Sequence, residues 1–260
     1  MSILSEAFNT FAVPYELARP SYPAPLIERV LEFAAPGPDA RLLEIGCGTG
    51  KATRLFAERG FRILSLEPGP NLADVARRSL APFPKVELAR TSFEEWRLER
   101  RAFDLVFAAQ SIHWVAREQR LRKCARALRR HGTLAIFGNA PDISGDPAND
   151  AVQDQYRRHA PALVGRDGAR QFYRSPSSPM LAELEASRDF DDVHYEHFRW
   201  QRPLSSAAYR ELLATYSDHA TLPAEQRSAL LEGVAHAIDE HGGNITIEYH
   251  TGLFLARTRR

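Results

Sequence analysis

The chain has 260 residues, of which 44% are hydrophobic and 26% charged, so it can bury a large core and fits one domain, with or without a cap. Its formal net charge of +1 gives no excess that would favour nucleic acid or an anionic membrane as a partner. Its two cysteines form neither a disulfide framework nor a metal-ligand spacing, and without a signal-peptide pattern or a long apolar run we expect a cytoplasmic protein with no membrane partner.

Hydrophobic periodicity predicts an alternation of strands and helices through the first half of the chain. A leading helix begins at Pro23 and ends at the breaker run Pro36-Gly37-Pro38. The predicted strands that follow are 41–45, 61–66, 86–89, 103–109 and 132–137, and the predicted helices between them are 51–59, 71–80 and 117–128. This alternation implies a parallel sheet.

The second half of the chain begins with a weaker pattern. Between Asn139 and about Arg188 the sequence is rich in Pro, Gly, Asp and Ser but retains Tyr156, Phe172 and Tyr173, which is typical of an inserted cap rather than a disordered linker. Beyond it, the pattern predicts a strand at 193–200, helices around 209–216 and 230–238, and a last strand at 245–256.

These elements predict a single α/β domain over 1–260. We expect a seven-stranded, mostly parallel sheet with an antiparallel last strand and helices on both faces. Residues 1–35 are predicted to form an N-terminal lid and the leading helix, and residues 139–190 a helical cap whose aromatic residues supply substrate-binding walls.

A glycine-rich loop follows the first strand, with the sequence Glu44-Ile45-Gly46-Cys47-Gly48-Thr49-Gly50. Glycines at such a strand-to-helix turn let a ligand approach the backbone amides. The dinucleotide fingerprint would need its third glycine at Lys51, and the Glu44 carboxylate would repel a pyrophosphate. A cationic ligand without phosphate, such as S-adenosylmethionine, fits better than NAD.

An acid at the end of the second strand supports this interpretation. Glu67, about 20 residues beyond the first glycine, is placed to accept hydrogen bonds from the two hydroxyl groups of a ribose. The alternative is a tight turn with a solvated acid, but the combination of this loop with the spaced acid is more specific than a lone glycine loop.

Leu43 to Thr53, together with Glu67, resembles the cofactor motif of the class I S-adenosylmethionine-dependent methyltransferases. The resemblance implies a Rossmann-like fold and S-adenosyl-L-methionine as cofactor. It also implies that Glu67 holds the ribose, and that Ser92 stands where the family often has an Asp facing the adenine, with Phe93 as a stacking or packing partner. The cofactor-binding residues implied in this way are Glu44, Gly46, Cys47, Gly48, Gly50, Glu67, Pro68, Ser92, Phe93 and Gln110.

Two further segments narrow the resemblance. The residues from Tyr15 to Pro23 and the strand ending from Ala109 to Trp114 resemble the trans-aconitate methyltransferase-like branch, which methylates small molecules. The resemblance therefore implies a small-molecule substrate, with no nucleic acid or membrane partner. It leaves the acceptor molecule and the oligomeric state, monomer or dimer, open.

The acceptor is expected beside the end of the fourth strand, because ligands of open α/β sheets lie outside the carboxyl ends of the strands. Gln110 and Trp114 are predicted to contact substrate there, and His113 is either a catalytic base or a helix cap, while Trp114 could instead be core. Arg19 either binds a substrate carboxylate or forms a surface ion pair. Tyr15 and Tyr22, which flank Arg19, are predicted to contact substrate.

We therefore expect methyl transfer to a small molecule, with a carboxylate among the candidate acceptors because it is already ionised and needs no base. An oxygen or nitrogen acceptor with a higher pKa would need His113 as the base. The alternatives are a methyltransferase acting on a macromolecule and a non-catalytic cofactor-binding module. No metal is expected, because the nine histidines lack a helical ligand spacing.

Overall fold

The computed structural model describes residues 12–165 and 168–259, so the first part of the expected lid, 1–11, lies outside the described residues. The strands are β1 (Arg41–Ile45), β2 (Arg62–Leu66), β3 (Val86–Ala89), β4 (Phe103–Ala109), β5 (Leu128–Asp142), β6 (Phe190–Ser205) and β7 (Asn244–Thr258). The helices are α1 (Ala12–Ala18), α2 (Ala24–Ala34), α3 (Lys51–Ala57), α4 (Pro70–Leu80), α5 (Arg117–Ala127), α6 (Asn149–His159), α7 (Gly168–Arg174), α8 (Pro179–Glu185), α9 (Ser206–Ala214), α10 (Ser217–Ala220) and α11 (Ala224–Glu240).

Helix starts follow the local sequence signals. α2 and α4 each carry a proline in the first turn, where a missing backbone N–H costs nothing. α8 and α9 begin after Ser178 and Ser205, whose hydroxyl groups accept hydrogen bonds from backbone amides of the first turn. From α2 to β5, the helices and strands follow in the order that the sequence predicts, whereas α1 is an additional helix that the sequence analysis did not predict.

The seven strands form one sheet in the order β3-β2-β1-β4-β5-β7-β6. β1 to β5 pair in parallel, and β7 is antiparallel to both β5 and β6. The predicted Rossmann-like class, with its antiparallel last strand, is confirmed. The chain order reverses between β1 and β4, and at such a switch point a ligand lies outside the carboxyl ends of the strands.

Neighbouring residues of the central strands pack on opposite faces of the sheet, and helices cover both faces. Leu43 of β1 and Val106 of β4 belong to a core shared with α5, α7 and α8, whereas Leu42 and Leu105 belong to a core shared with α2 and α3. Because successive strand residues point to opposite faces, continuous apolar runs mark strands that are buried on both sides.

The last three strands are longer than predicted. β5, predicted to begin at Gly132, begins at Leu128, and β6 and β7 pair along nearly their whole length, from Phe190 opposite Thr258 to Ser205 opposite Asn244. Polar residues on the exposed faces hide this extension from a hydrophobicity pattern. The long strands carry the sheet beyond the ends of β1 and β4.

A helical cap lies at this extended end and is drawn from two segments. α6 comes from the expected 139–190 region, and α9 and α11 come from the connection between β6 and β7; their apolar faces share one core with the start of β7. α7 and α8, also from 139–190, pack on the sheet itself. In the part of the chain that the structure describes, no helix has the length and apolar character needed to cross a bilayer.

Candidate functional site

A large cavity lies at the carboxyl ends of the strands, under the cap. Its volume is about 1480 Å³, which exceeds the roughly 300–1,000 Å³ of a typical single-ligand site and leaves room for a cofactor and a second small molecule. The predicted site residues that line it are Tyr15, Arg19, Tyr22, Glu44, Gly46, Cys47, Gly48, Glu67, Pro68, Ser92, Phe93, Gln110, His113 and Trp114.

Glu44 is a buried carboxylate with an unmet hydrogen-bonding need. It is 1% exposed; its Oε2 accepts hydrogen bonds from the hydroxyl groups of Thr53 and Ser65, but its Oε1 has no partner. Burial raises the pKa of Glu44 to about 8. An ammonium group in the cavity would satisfy Oε1 and favour the ionised form, which fits the amino-acid end of S-adenosylmethionine.

The three loop glycines have different roles, although all have positive φ. A Cβ on Gly48 would meet no protein atom within 4 Å, so the backbone there leaves open space beside the cavity. A Cβ on Gly46 would lie 2.8 Å from Cβ of Ser111. Gly50 does not line the cavity: a Cβ there would lie 2.9 Å from Leu80, so the loop has already turned into α3. We therefore assign Gly50 to packing instead of the predicted cofactor contact.

Glu67 bridges the glycine loop and the turn after β2. Its Oε2 accepts the amide hydrogen of Gly48 at 2.8 Å, and its Oε1 accepts that of Gly69 at 2.8 Å. Each ionised oxygen retains a further lone pair for a ribose hydroxyl. Burial raises the pKa of Glu67. The carboxyl oxygens of Glu67 and Glu44 give this end of the cavity hydrogen-bond acceptors, which suit a ligand with hydroxyl and ammonium donors better than a phosphate.

Glu67→Ala is expected to weaken binding of S-adenosylhomocysteine by roughly 1–3 kcal/mol, because a charged acceptor is lost and the loop amide loses its partner. Calorimetry on the purified protein measures the change, with the exposed Glu87 changed to Ala as the control. Unchanged affinity would show that the ribose is held elsewhere.

At the predicted adenine end, Ser92 and Phe93 follow β3. The hydroxyl of Ser92 accepts the amide hydrogen of Glu95 at 3.2 Å, which fixes the turn. Phe93 is buried and stacks on Trp96 with ring centroids 6.1 Å apart. Its ring therefore forms cavity wall as well as core.

Gln110 extends the pairing of β4 with β5 through its side chain. It has a φ of 60°, its Nε2 donates to the carbonyl of Asn139 at 2.8 Å, and its Oε1 accepts the amide hydrogen of Asn139 at 3.0 Å. Asn139 in turn donates to the carbonyl of Ser21 at 3.1 Å. Gln110 thus positions the segment before α2 at the cavity wall.

His113 lies in a short 3-10 turn after β4. Its Nδ1 is 3.3 Å from the hydroxyl of Tyr173. Burial, with a smaller contribution from Arg120, lowers its pKa to about 4. The helix-cap alternative is wrong, since α5 has no side-chain cap. Trp114 is 38% exposed, so it is not core.

Tyr173 supports His113 from beneath. A Cβ on Gly138 would lie 2.6 Å from the Tyr173 ring, and a Cβ on Gly252 would lie 1.9 Å from its carbonyl oxygen. These two glycines are cross-strand partners in β5 and β7, and together they open a slot in which Tyr173 is fully buried. Of the three aromatic residues expected to form substrate walls, Tyr156 and Phe172 line the cavity and Tyr173 does not.

Arg19 is held at the cap end of the cavity by neutral partners. Its Nε donates to Thr215 Oγ1 at 2.9 Å, and its Nη2 donates to the Thr215 carbonyl at 3.0 Å. Its guanidinium carbon lies 4.2 Å from the ring centre of Tyr216 and 5.2 Å from that of Tyr15. Among the described residues, no carboxylate lies within 4.0 Å of this guanidinium, so the surface ion-pair alternative is not observed.

The segment that carries Arg19 contacts both ends of the cavity. Lys51, at the start of α3, donates to the carbonyl of Glu16 at 2.5 Å and lies 3.4 Å from its carboxylate. At the other end, Arg202 donates to the carbonyl of Ala18 at 2.8 Å. α1 thus contacts both the helix that follows the glycine loop and β6, and Ala18 packs in the core of the cap.

At the cap end, the predicted wall residue Tyr156 meets two residues that the sequence did not single out, Asp218 and His219. Tyr156, Asp218 and His219 line the cavity and are hydrogen-bonded to one another. Six of the eight tyrosines in the chain line the same cavity. The adjacent Asp218 and His219 were a sequence signal for this group. Apart from His113, the histidines were considered only for metal-ligand spacing, and the group was therefore missed. Among the described residues, no cluster suited to a metal ion is found.

Known proteins are similar to this chain in sequence and in fold. Residues 43–136 match the methyltransferase domain family. An uncharacterised methyltransferase of Mycobacterium tuberculosis is 29% identical over 238 residues, 92% of this chain and 88% of that protein. A malonyl-[acyl-carrier protein] O-methyltransferase of Serratia marcescens is 31% identical over 191 residues, 73% of each chain.

A solved structure, a proposed type II methyltransferase of Anaeromyxobacter dehalogenans, shares the fold with a TM-score of 0.66 at 21% identity, over 92% of this chain and 97% of that chain. The unpartnered oxygen of Glu44 and the open space at Gly48 fit the cofactor of this family. The chain belongs to the class I S-adenosylmethionine-dependent methyltransferases, and S-adenosylmethionine is its cofactor.

Proposed function

We propose that the protein methylates a small molecule that carries a carboxylate. The observation that carries this proposal is the guanidinium of Arg19, which faces the cavity without a carboxylate partner within 4.0 Å among the described residues. When bound, the cofactor supplies an electrophilic methyl group. The residues of this chain select and place the acceptor.

The charges around Arg19 favour an anion. Two of its N–H groups are used by Thr215, and the remaining ones can donate to a carboxylate. The ring of Tyr216 supports the guanidinium from one face. Asp218 is close enough for Arg19 to lower its pKa, but it is already hydrogen-bonded to His219. An acidic acceptor would supply the missing counter-charge.

The cavity and the net charge of the chain support a small acceptor. The site lies under the cap rather than on an open groove, and the net charge of +1 provides no phosphate-binding excess. One relative, by its name, methylates an oxygen of malonyl-[acyl-carrier protein]. The malonyl group is acidic but is carried on a protein, so this relative supports the acidic character of the acceptor and not its size. The resemblance of the Tyr15 to Pro23 and Ala109 to Trp114 segments to the trans-aconitate methyltransferase-like branch supports the same substrate class.

His113 is suited to placing the acceptor rather than to taking its proton. With a pKa of about 4, it is neutral at physiological pH but a weak base, far from the matched pKa that makes general-base catalysis efficient. Methyl transfer by in-line displacement requires alignment and exclusion of water. The packed ring of Phe172, 5.8 Å from His113, provides an apolar wall for this purpose.

Arg19→Ala is expected to raise the KM for an acidic acceptor by about tenfold or more and to change turnover less, because ground-state and transition-state binding lose the same charge pair. The assay screens carboxylic acids for transfer of a radiolabelled methyl group. Arg19→Lys should recover part of the loss.

The exposed Arg210, outside the cavity, provides the matched control as Arg210→Ala. Equal loss with neutral and acidic acceptors would contradict the proposed role of Arg19. Cofactor binding with no transfer to any acid would favour a non-catalytic module.

A further inference from the structure

We propose that Tyr156, His219 and Asp218 form a proton relay that deprotonates a hydroxyl group of the acceptor, so that the protein methylates a hydroxyl oxygen of a hydroxy acid. This inference rests on the proposed function and names the acceptor atom. In it, the carboxylate of the acceptor is an anchor for Arg19 and is not itself methylated.

The relay links α6 to α10, and its three residues line the cavity. The hydroxyl oxygen of Tyr156, on α6, lies 2.8 Å from Nε2 of His219, on α10. The other ring nitrogen, Nδ1, lies 2.7 Å from Oδ1 of Asp218. His219 is 3% exposed, and its ring is held edge-on between Tyr156 and Tyr216. A buried imidazole is therefore fixed at both nitrogens.

The hydrogen bonds define the direction of proton flow. Burial alone would raise the pKa of Asp218, but hydrogen bonds from the ring and the backbone amide of His219 hold it below its ordinary value. An ionised Asp218 accepts the hydrogen of Nδ1, so Nε2 carries the lone pair and accepts the Tyr156 hydroxyl hydrogen. The Tyr156 oxygen then offers lone-pair density to a donor in the cavity.

In this arrangement, the relay moves one proton from the acceptor to His219 while the acceptor oxygen takes the methyl group. The acceptor O–H bond breaks as its proton passes to the Tyr156 oxygen, and the original Tyr156 proton passes to Nε2 of His219. A new O–CH₃ bond forms as the sulfur–methyl bond breaks, and the electron pair of that bond stays on sulfur. The imidazolium of His219 lies against Asp218 and returns its proton to water after product release.

The contrast with His113 favours His219 as the base. Arg120 opposes protonation of His113, whereas Nδ1 of His219 lies 2.7 Å from the Asp218 carboxylate, the kind of partner that orients a histidine base through its second ring nitrogen. The groups that face His219 from the elements around it are Asp218, Tyr156 and Tyr216, with Arg19 beyond them. A carboxylate bound to Arg19 has part of its lone-pair density held in charge-assisted hydrogen bonds, which makes it a poorer nucleophile than a deprotonated hydroxyl.

The first test measures turnover and product chemistry. Hydroxy acids and the matching acids without the hydroxyl are incubated with radiolabelled S-adenosylmethionine, and the products are treated with mild alkali, which cleaves methyl esters but not methyl ethers. We expect alkali-stable product from the hydroxy acids. Tyr156→Phe and His219→Gln should lower turnover by roughly 10²–10⁴-fold with a small change in KM, and Tyr195→Phe, outside the cavity, should not.

A second test uses a chromophoric probe that reports proton transfer without turnover. 3-Hydroxy-4-nitrobenzoate is bound in the presence of S-adenosylhomocysteine, and the absorbance of its phenolate is followed against pH. In the wild type, the pKa of the bound phenol should fall by about one unit relative to Tyr156→Phe, because the relay offers the proton a site beside Asp218. A merely structural contact between α6 and α10 would not move this value.

The outcomes separate the two proposals. An alkali-labile ester, or equal phenol pKa values in the wild type and Tyr156→Phe, would overturn the relay and leave the proposed function standing. No transfer to any acid would overturn both. If His219→Gln fails to fold, as shown by thermal unfolding, Tyr156→Phe decides the matter, because it removes one oxygen atom and retains the packed ring.

Discussion

Gly48→Val is expected to abolish binding of S-adenosylmethionine while leaving the protein folded. A Cβ at this position would meet no protein atom, so the valine side chain would enter the cavity beside the loop amides. It would occupy the space of the ligand, and the φ of 59° would add strain that glycine avoids. The loss of affinity should be roughly 1000-fold or more, which is about 4 kcal/mol and exceeds the roughly 1–3 kcal/mol expected for Glu67→Ala.

Calorimetry with S-adenosylhomocysteine measures the affinity, and thermal unfolding without ligand measures the stability. Gly60→Val is the matched control, because Gly60 has a φ of 83° and equally open surroundings but does not line the cavity. Both variants should lose similar stability through backbone strain. Wild-type affinity in Gly48→Val would show that the cofactor does not approach this loop.

The sheet could be predicted from sequence because its signals are local. Apolar runs, helix starts and glycine stops placed β1 to β4 within a residue of their observed ends. Chain order alone does not reveal how far β5, β6 and β7 extend, because their pairing beyond the core depends on partners distant in sequence. The contribution of α9 and α11 to the cap is hidden for the same reason.

The candidate site was predictable where one short segment carries it. The loop from Glu44 to Gly48 and the acid at Glu67 lie on consecutive strands, so their spacing alone indicated a shared ligand. The roles of Tyr173 and His219 depend on contacts between residues 60 or more positions apart, which are the contact of Tyr173 with His113 and that of His219 with Tyr156. No periodicity encodes such contacts, and only the folded chain reveals them.

Glu44→Gln is expected to stabilise the ligand-free protein at pH 8 and to weaken cofactor binding by about tenfold or more. The pKa of Glu44 rises from 4.5 to about 8 on folding. Ionisation of this carboxyl therefore costs stability, and the cost grows as the pH rises from about 5 to about 8 and is absent below that interval. Glutamine is neutral at every pH, so the stability gain of the variant should grow over this interval and stay at its full size above it.

Cofactor binding should favour the ionised form of the Glu44 carboxyl group over the protonated form. An ammonium group beside the unpartnered Oε1 favours the ionised carboxylate, so binding near pH 7 should release a proton, and affinity should increase with pH up to about 8. Calorimetry in phosphate and in Tris at pH 7 measures the released proton by the difference in buffer ionisation heat. Glu44→Gln should lack this proton release, whereas Glu58→Gln, at the exposed end of α3, should retain it. Equal proton release in the wild type and Glu44→Gln would place the ammonium group away from Glu44 and would require another residue to receive it.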